Sequence, residues 1–310
     1  IRTIVTIPAS LKAGDRAPAM FFIQGAFLGS LDFSLANNAD SYAQLVESFA
    51  RRGFVTVRVD KPGVGDSEGG PASGIDFVRE TDAFRQALRA TLARPEVDAS
   101  RVLVFGHSMG GLQAPILAGE TPVKAIVAAS TVYRPWYEYV VENTRRQLAL
   151  AGAHGPQLDD AMRREITVQH RYLVEQMTPE AIADKHPDWR ASLAEEFPVR
   201  GQWSGRAHAF WHQVAAASMP HAWDKVDAKV LALWGESEFV ASEIDHPMIV
   251  EALNKKRPGS AKFMRLPQSD HGFNQTATVA ESFATFGKPG TKFNPNVIDS
   301  VHGWLREIGF

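Results

Sequence analysis

Residues 101–118 have the sequence RVLVFGHSMGGLQAPILA, and this stretch decides the fold. The run Arg101 to Phe105 is short, apolar and β-branched, which predicts a buried strand ending at Gly106. The residues from Met109 to Ala118 have the pattern of a helix. A strand, a tight turn and a helix in succession push the residue at the turn, Ser108, out at the top of a sheet. The sequence therefore predicts that Ser108 is a nucleophile.

A second copy of the same G-x-S-x-G pattern occupies residues 65–69, with Ser67 at its centre. The strand predicted before it ends several residues earlier, and the segment from Pro62 to Gly74 has the Gly, Pro and Ser content of a loop. Ser67 also lies between two carboxylates, which oppose formation of an alkoxide. We expect Ser67 to have a structural role in a loop.

Composition narrows the classes of function. The chain has 310 residues, 45% of them hydrophobic, a net charge of −2 and no cysteine. The small net charge implies no general attraction to nucleic acid or to an anionic membrane. There is no run of about 18 apolar residues, so no membrane span is expected. The absence of cysteine excludes disulfides, thiol catalysis and thiolate metal sites.

The chain begins at Ile1 and not at methionine. We therefore expect that an initiator, a tag, a signal or another domain preceded it. The sequence predicts a protein that is soluble, either cytoplasmic or, if a signal was removed before Ile1, exported. Composition does not choose between these compartments, and it does not indicate an oligomeric state.

Apolar strands alternate with amphipathic helices along most of the chain, which predicts a doubly wound, mostly parallel α/β sheet. No convincing strand occurs from Val132 to Trp223, where the pattern is helical. We therefore expect a catalytic domain formed by residues 1–131 and 224–310, with an α-helical cap inserted at 132–223. The cap is rich in tryptophan, and these side chains either pack its own core or line an apolar substrate pocket. Trp136 and, from an earlier loop, Phe27 are the candidates for substrate contact.

A serine hydroxyl needs a base, and the base needs a third group that orients it. In this architecture an acid and then a histidine follow later strands. His271 is the candidate base, since it follows the last predicted strand in a polar loop. Glu238, three residues after Gly235, is the preferred acid, and Asp245 is the alternative.

Acyl transfer also needs backbone N–H donors aimed at the developing oxyanion. The amide of Met109 is one candidate, because it follows the nucleophile at a helix N-terminus. The second is the amide of Ala26, or of Phe27, in the loop that follows an early strand. His208 and His212 have the i, i+4 spacing of a metal pair, but no glutamate follows His208 and no third ligand is evident beyond His221. Neither a metal nor a cofactor is expected.

Four segments together resemble the α/β-hydrolase superfamily of serine hydrolases over essentially the whole chain. They are residues 106–111 (GHSMGG), 60–67 (DKPGVGDS), 235–238 (GESE) and 270–273 (DHGF). Among its members the set is most similar to bacterial esterases and to serine peptidases of the prolyl-oligopeptidase or aminopeptidase type. The resemblance implies an α/β-hydrolase fold with a nucleophile elbow, and a structural role for the loop with Ser67. The chain departs from the family pattern in having Gln24-Gly25 where His-Gly is common, and a glutamate where the acid is usually aspartate.

These observations predict a serine hydrolase that cleaves a small-molecule carboxylic ester through an acyl-enzyme on Ser108. An amide or peptide hydrolase, or an acyltransferase, would use the same triad and is the alternative. An alternative of another class is a binding protein that keeps the pocket without useful turnover. The motifs specify the chemistry more strongly than the substrate, because this fold has many activities.

Overall fold

In the computed structural model, residues 1–36 and 39–310 are described. Strands in this part of the chain range from 2 to 11 residues, and β3 and β5, inside the sheet, are buried along their whole length. They are β1 (Thr3–Thr6), β2 (Ala17–Ile23), β3 (Val55–Val59), β4 (Val97–His107), β5 (Ala125–Ala129), β6 (Gln202–Trp203), β7 (Arg206–Ala207), β8 (Lys229–Gly235) and β9 (Ala261–Leu266).

Seven of these strands form one sheet in the described residues, in the order β1-β3-β2-β4-β5-β8-β9. Strand β1 is antiparallel to β3, and the remaining pairs are parallel. The carboxyl ends of the parallel strands therefore meet at one edge of the sheet, which is where open α/β sheets bind their ligands.

Helices cover both faces of the sheet. In chain order they are α1 (Ser41–Arg51), α2 (Phe77–Leu92), α3 (Gly110–Glu120), α4 (Trp136–Leu150), α5 (Gly155–Gln169), α6 (Pro179–Lys185), α7 (Arg190–Glu196), α8 (His208–Ala216), α9 (Met219–Asp224), α10 (Asp245–Lys256), α11 (Val279–Thr285) and α12 (Asn296–Glu307). Apolar side chains of α2, α3 and α10 belong to one core, and those of α1 and α12 belong to the other.

Strand β4 shows how the sequence builds these two layers. Val102 and Val104 pack into the core under α2 and α3, whereas Leu103 and Phe105 pack into the core under α1 and α12. Successive side chains of a strand point to opposite faces, so a strand buried on both sides must be apolar throughout. The predicted fold class, a doubly wound and mostly parallel α/β sheet, is confirmed.

Helices α4 to α9 lie between β5 and β8, in the segment for which the sequence predicts an inserted helical cap. We call residues 132–223 the cap, and its boundaries stay a prediction. The absence of strands from this segment was predicted wrongly, because β6 and β7 pair as a hairpin with Trp203 opposite Arg206. Ser204 and Gly205 have φ values of +46° and +73°, as the turn of a two-residue hairpin requires. Strands of two residues are too short to show an alternating pattern.

Within residues 1–36 and 39–310, no helix combines the length and the apolar character that crossing a bilayer requires.

Candidate active site

Ser108 lies on the sharp turn between β4, which ends at His107, and α3, which begins at Gly110. Its φ is +54°, in the left-handed region that a residue with a side chain rarely adopts. Hydrogen bonds hold the turn: the Ser108 carbonyl accepts from the Gly111 amide at 2.9 Å and from the Thr131 hydroxyl at 3.0 Å. Backbone strain of this kind is typical of a functional turn.

Two glycines let neighbouring strands come close to this turn. A Cβ at Gly110 would lie 2.1 Å from the Ile23 carbonyl oxygen, and a Cβ at Gly25 would lie 2.9 Å from the Cβ of Ser108. Any side chain at either position would collide with its neighbour. The backbone after β2 therefore packs directly against the nucleophile candidate.

The structure brings Ser108, His271 and Glu238 together. His271 Nε2 lies 3.0 Å from Ser108 Oγ, and His271 Nδ1 lies 2.8 Å from Glu238 Oε2. A carboxylate only accepts hydrogen bonds, so Nδ1 carries the proton and Nε2 is free to accept the proton of the serine hydroxyl. This is the arrangement that a general base requires.

Glu238 is buried, and its second oxygen, Oε1, accepts from the amides of Val240 at 2.7 Å and Ala241 at 3.0 Å. Burial by itself would raise the pKa of Glu238, but His271 and the two amides outweigh it and hold that pKa below its usual value. The carboxylate therefore stays ionised beside the imidazole.

Asp245 lies elsewhere, at the first turn of α10. Its Oδ1 accepts from the amides of Tyr133 and Arg134 at 2.9 Å, and its Oδ2 lies 3.0 Å from the guanidinium of Arg134. These partners belong to the segment that enters the cap. The structure thus brings Glu238, and not Asp245, to His271.

The two oxyanion candidates come from two segments that meet at Ser108. Met109 is at the N-terminus of α3, and Ala26 follows Gly25 in the loop that packs on the serine. Among the described residues, neither amide donates to another backbone group. Met109, Ala26 and Ser108 border the same cavity, as a pair of oxyanion donors must.

This cavity has a volume of about 810 Å³ and lies between Ser108 and the cap. Trp136 lines it and stacks on Trp211, with 5.7 Å between the ring centroids. Phe27 is not among the lining residues: its side chain is 55% exposed, and its ring lies over Gly29. The structure therefore brings one of the two predicted substrate contacts, Trp136, to the cavity.

The other motif serine is buried in the loop after β3. The Ser67 hydroxyl donates to the Asp60 carbonyl at 2.8 Å and accepts from the Arg2 amide at 2.8 Å. The two bonds tie the loop to the end of β3 and to the residue before β1. His208 and His212, the other motif pair, both pack against the ring of Tyr172 in the cap.

Sequence reasoning missed His107, which connects the elbow to the loop of His271. Its Nε2 lies 2.7 Å from the His271 carbonyl oxygen, and its Nδ1 lies 2.6 Å from the Tyr42 hydroxyl. Because a carbonyl oxygen only accepts, the proton is on Nε2, and Nδ1 accepts from Tyr42. Burial lowers the pKa of His107 to about 3, so the ring stays neutral. No sequence signal indicates this link, since Tyr42 and His271 are far from His107 in the chain.

A sequence model of the alpha/beta hydrolase family matches residues 20–282 of the chain. This match extends over most of the chain and agrees with the sheet order and with the turn at Ser108. The chain belongs to the alpha/beta hydrolase family.

Two curated relatives match shorter segments. Thiohydrolase apmlB of Arthrinium phaeospermum is 29% identical over 111 residues, which cover 36% of each chain. Polyketide transferase ATR5 of Stachybotrys chlorohalonatus is 26% identical over 139 residues, which cover 45% of this chain and 43% of that one. The chain thus spans less than half the length of these relatives.

Among solved structures, Est1E from Butyrivibrio proteoclasticus with bound ferulic acid superposes with a TM-score of 0.60. The superposition covers 99% of this chain and 94% of that one, at 14% sequence identity. At this identity the likeness concerns the fold.

Proposed function

We propose that this protein is a serine hydrolase that cleaves a carboxylic ester through an acyl-enzyme on Ser108. The observation that carries the proposal is the unbroken hydrogen-bonded series from Ser108 through His271 to Glu238, at the wall of an open cavity. In this mechanism Ser108 Oγ attacks the ester carbonyl carbon, and His271 Nε2 takes its proton. Glu238 holds the ring and stabilises the imidazolium.

The carbonyl oxygen becomes an oxyanion in the tetrahedral intermediate, and the amides of Met109 and Ala26 donate to it. When the intermediate collapses, the bond to the leaving alkoxide breaks and His271 returns the proton to that oxygen. A water molecule then attacks the acyl-enzyme, with His271 again as the base, and the carboxylic acid is released. The cavity bordered by Trp136 would hold the acyl or the alcohol part of the substrate.

Acyl transfer is the second candidate. One relative is named a thiohydrolase and another a polyketide transferase, and these names favour a thioester substrate or an acceptor other than water. The same serine, histidine and glutamate would serve, since only the leaving group or the second nucleophile differs. Amide cleavage is the remaining variant of the mechanism.

The first experiment is labelling with a fluorophosphonate probe, which phosphonylates an activated serine. Wild type is expected to label with one probe per chain, Ser108→Ala not at all, and Ser67→Ala as wild type does. Equal labelling of wild type and Ser108→Ala would overturn the assignment, as would labelling lost only in a folded Ser67→Ala protein. A wild type that binds ligands but does not label would be a binding protein.

Three substrates that share one acyl group, an ester, a thioester and an amide, are then compared by their kcat/KM. We expect the oxygen ester to be cleaved with the highest kcat/KM. Adding an alcohol or amine acceptor and analysing the products measures transfer against hydrolysis. Transfer that exceeds hydrolysis at millimolar acceptor would replace our proposal with an acyltransferase.

A further inference from the structure

Three charged side chains are buried together behind the loop that contains Gly25 and Ala26. Lys61, Glu80 and Arg206 are each 1% exposed or less. Lys61 Nζ lies 3.2 Å from Glu80 Oε1, and Arg206 Nη1 lies 2.6 Å from Glu80 Oε2. We call this group the Lys61–Glu80–Arg206 cluster.

The members come from three distant parts of the chain. Lys61 follows β3, Glu80 is in α2, and Arg206 is in β7 of the cap hairpin. Two cations and one anion leave a net charge of +1 without access to water. Desolvation of such a group offsets much of its Coulombic gain, so stability alone is a weak reason for it. The contacts that the two cations make beyond Glu80 provide a different reason.

Lys61 Nζ donates to the Gly25 carbonyl oxygen at 2.5 Å. That carbonyl belongs to the same peptide unit as the N–H of Ala26. Because a trans peptide is planar, its C=O and N–H point in opposite directions, and holding one fixes the other. Lys61 therefore sets the direction of the Ala26 amide, the proposed oxyanion donor beside Ser108.

Arg206 adds a second restraint from the cap. Its Nη2 donates to the Ala26 carbonyl oxygen at 3.3 Å, while its Nη1 contacts Glu80. The peptide units on both sides of the Ala26 Cα thus each accept from a buried cation. Glu80 holds the two cations in place, and Gln113 of α3 donates to it at 3.2 Å.

We propose that Lys61 and Arg206 are positioning residues that aim the Ala26 amide at the oxyanion, and that Arg206 makes this geometry depend on the cap. The proposal rests on the proposed function. It adds that the second donor of the oxyanion hole is assembled only when the cap hairpin is seated on the core. The net positive charge of the cluster also favours an oxyanion nearby.

Burial and, to a smaller extent, the charge of Arg206 lower the pKa of Lys61 to about 8, against the attraction of Glu80. Glu80 and Arg206 are the charged groups that contact Lys61 from α2 and β7. As the pH rises through about 8, Lys61 loses its charge and its hold on the Gly25 carbonyl weakens. In the wild type, kcat is therefore expected to fall on the alkaline side, and this fall should be absent from a variant without Lys61.

The test uses Lys61→Met, which keeps most of the length of the side chain without its ammonium group and leaves Glu80 and Arg206 as a neutral pair. Removal of one oxyanion donor lowers kcat about a hundred- to a thousand-fold, so a misdirected donor should cost about ten- to a hundred-fold. KM for p-nitrophenyl butyrate should change less than about threefold. The inhibition constant of a trifluoromethyl ketone, whose adduct with Ser108 is an oxyanion, should rise by the same factor as kcat falls.

Arg58→Met is the matched control. Arg58 is buried, and its Nη1 donates to the carbonyls of Leu31 at 2.9 Å and Phe33 at 3.0 Å, further along the same loop. This variant also removes a buried cation that holds loop carbonyls, but not the peptide before Ala26. We expect kcat and ketone inhibition within about threefold of wild type.

Arg206→Met provides a second variant if Lys61→Met does not fold, and it should change the same quantities in the same direction by a smaller factor. Either folded variant with kcat and ketone inhibition within twofold of wild type would overturn the inference. So would an Arg58→Met protein as impaired as Lys61→Met. A wild type that fails to react with the fluorophosphonate would instead overturn the proposed function, and this inference with it.

Discussion

At the scale of single residues, Glu238 and Asp245 differ in what their oxygens contact, although both are buried. One oxygen of Glu238 faces His271 Nδ1, and we expect this contact to fix the tautomer of the base. Glu238→Gln would place a side-chain amide beside His271 Nδ1. Its NH2 group can donate to an unprotonated Nδ1, so the tautomer of His271 with the proton on Nε2 would be stabilised as well. We predict that kcat falls by about 10⁴-fold with little change in KM, measured with a p-nitrophenyl ester.

Asp245→Asn is the control for that variant, and its effect should be on stability. Asp245 is fully buried, and the substitution weakens its ion pair with the Arg134 guanidinium and its bonds to the Tyr133 and Arg134 amides, although Arg134 keeps Glu138 and Glu142 as partners. We expect a loss of up to about 3 kcal/mol in the free energy of unfolding, with kcat within about tenfold of wild type. A larger loss of kcat in Asp245→Asn than in Glu238→Gln would show that the acid has been misassigned.

The sequence contains enough to identify Ser108 as a candidate, because the strand, the turn and the helix around it are contiguous. Partners far apart in the chain are harder to identify, because their contacts are not local. Glu238 was preferred over Asp245 by its distance from a strand end, whereas Lys61 and Arg206 have no local signal, since their contacts with Gly25 and Ala26 exist only in the folded chain. The sequence predicts that Phe27 contacts the substrate because it lies in the loop after β2, but its ring lies over Gly29, since the direction of a loop side chain depends on packing that the sequence does not reveal.

At the scale of elements, the sequence predicts the type of an element better than its bounds. Strand β4 begins before the predicted Arg101, at Val97, and the added residues at its amino end include the polar Asp98 and Ser100. Helices α7 and α9 have only 7 and 6 residues. Two turns of helix are too few to show a period of 3.6, so their formation depends on caps and tertiary contacts.

Helices α5 and α7 meet at a pair of carboxyl groups in the wall of the cavity. Gln169 Nε2 donates to Glu165 and to Glu196, each at 2.8 Å. Burial, together with the charge of Glu165, raises the pKa of Glu196 to about 8, and burial raises that of Glu165. The folded protein therefore binds more protons than the unfolded chain between about pH 4.5 and pH 8.

It follows that this pair stabilises the fold most in acid and loses that contribution as the pH rises through about 8. Glu196→Gln mimics the protonated form, so we predict a Tm about 3 °C above wild type at pH 8 and within about 1 °C of it at pH 5. Glu195→Gln is the control, because it makes the same change in charge at an exposed neighbouring position. It should shift Tm little, and by the same amount, at pH 5 and at pH 8. A Glu196→Gln protein whose Tm difference from wild type does not grow with pH would contradict the raised pKa of Glu196.

At the scale of the whole molecule, the cap contacts loops of the candidate site. Helix α4 of the cap holds the loop that follows Glu238: the side-chain amide of Asn143 donates to the Val240 carbonyl at 2.6 Å, and the Tyr139 hydroxyl donates to it at 3.0 Å. The amides of Val240 and Ala241 in turn donate to Glu238. The cap therefore contacts two parts of the candidate site, this loop through α4 and the Ala26 loop through Arg206.

A substitution of Arg146 tests whether the loop that follows Glu238 depends on α4. Its Nη1 donates to the Phe239 carbonyl at 2.6 Å, and its Nη2 to the Ser242 hydroxyl at 3.2 Å, so that one guanidinium spans the loop. In Arg146→Met the amides of Val240 and Ala241 should exchange with solvent at least about tenfold faster, because the loop opens without unfolding the sheet. If the loop orients Glu238, kcat should fall about tenfold as well, while Tm decreases by only a few degrees.

Arg145→Met, which removes an exposed guanidinium from the same helix, should change none of these quantities. Faster exchange at Val240 and Ala241 with unchanged kcat would show that the loop moves without carrying Glu238, and the site would then be independent of the cap on this side.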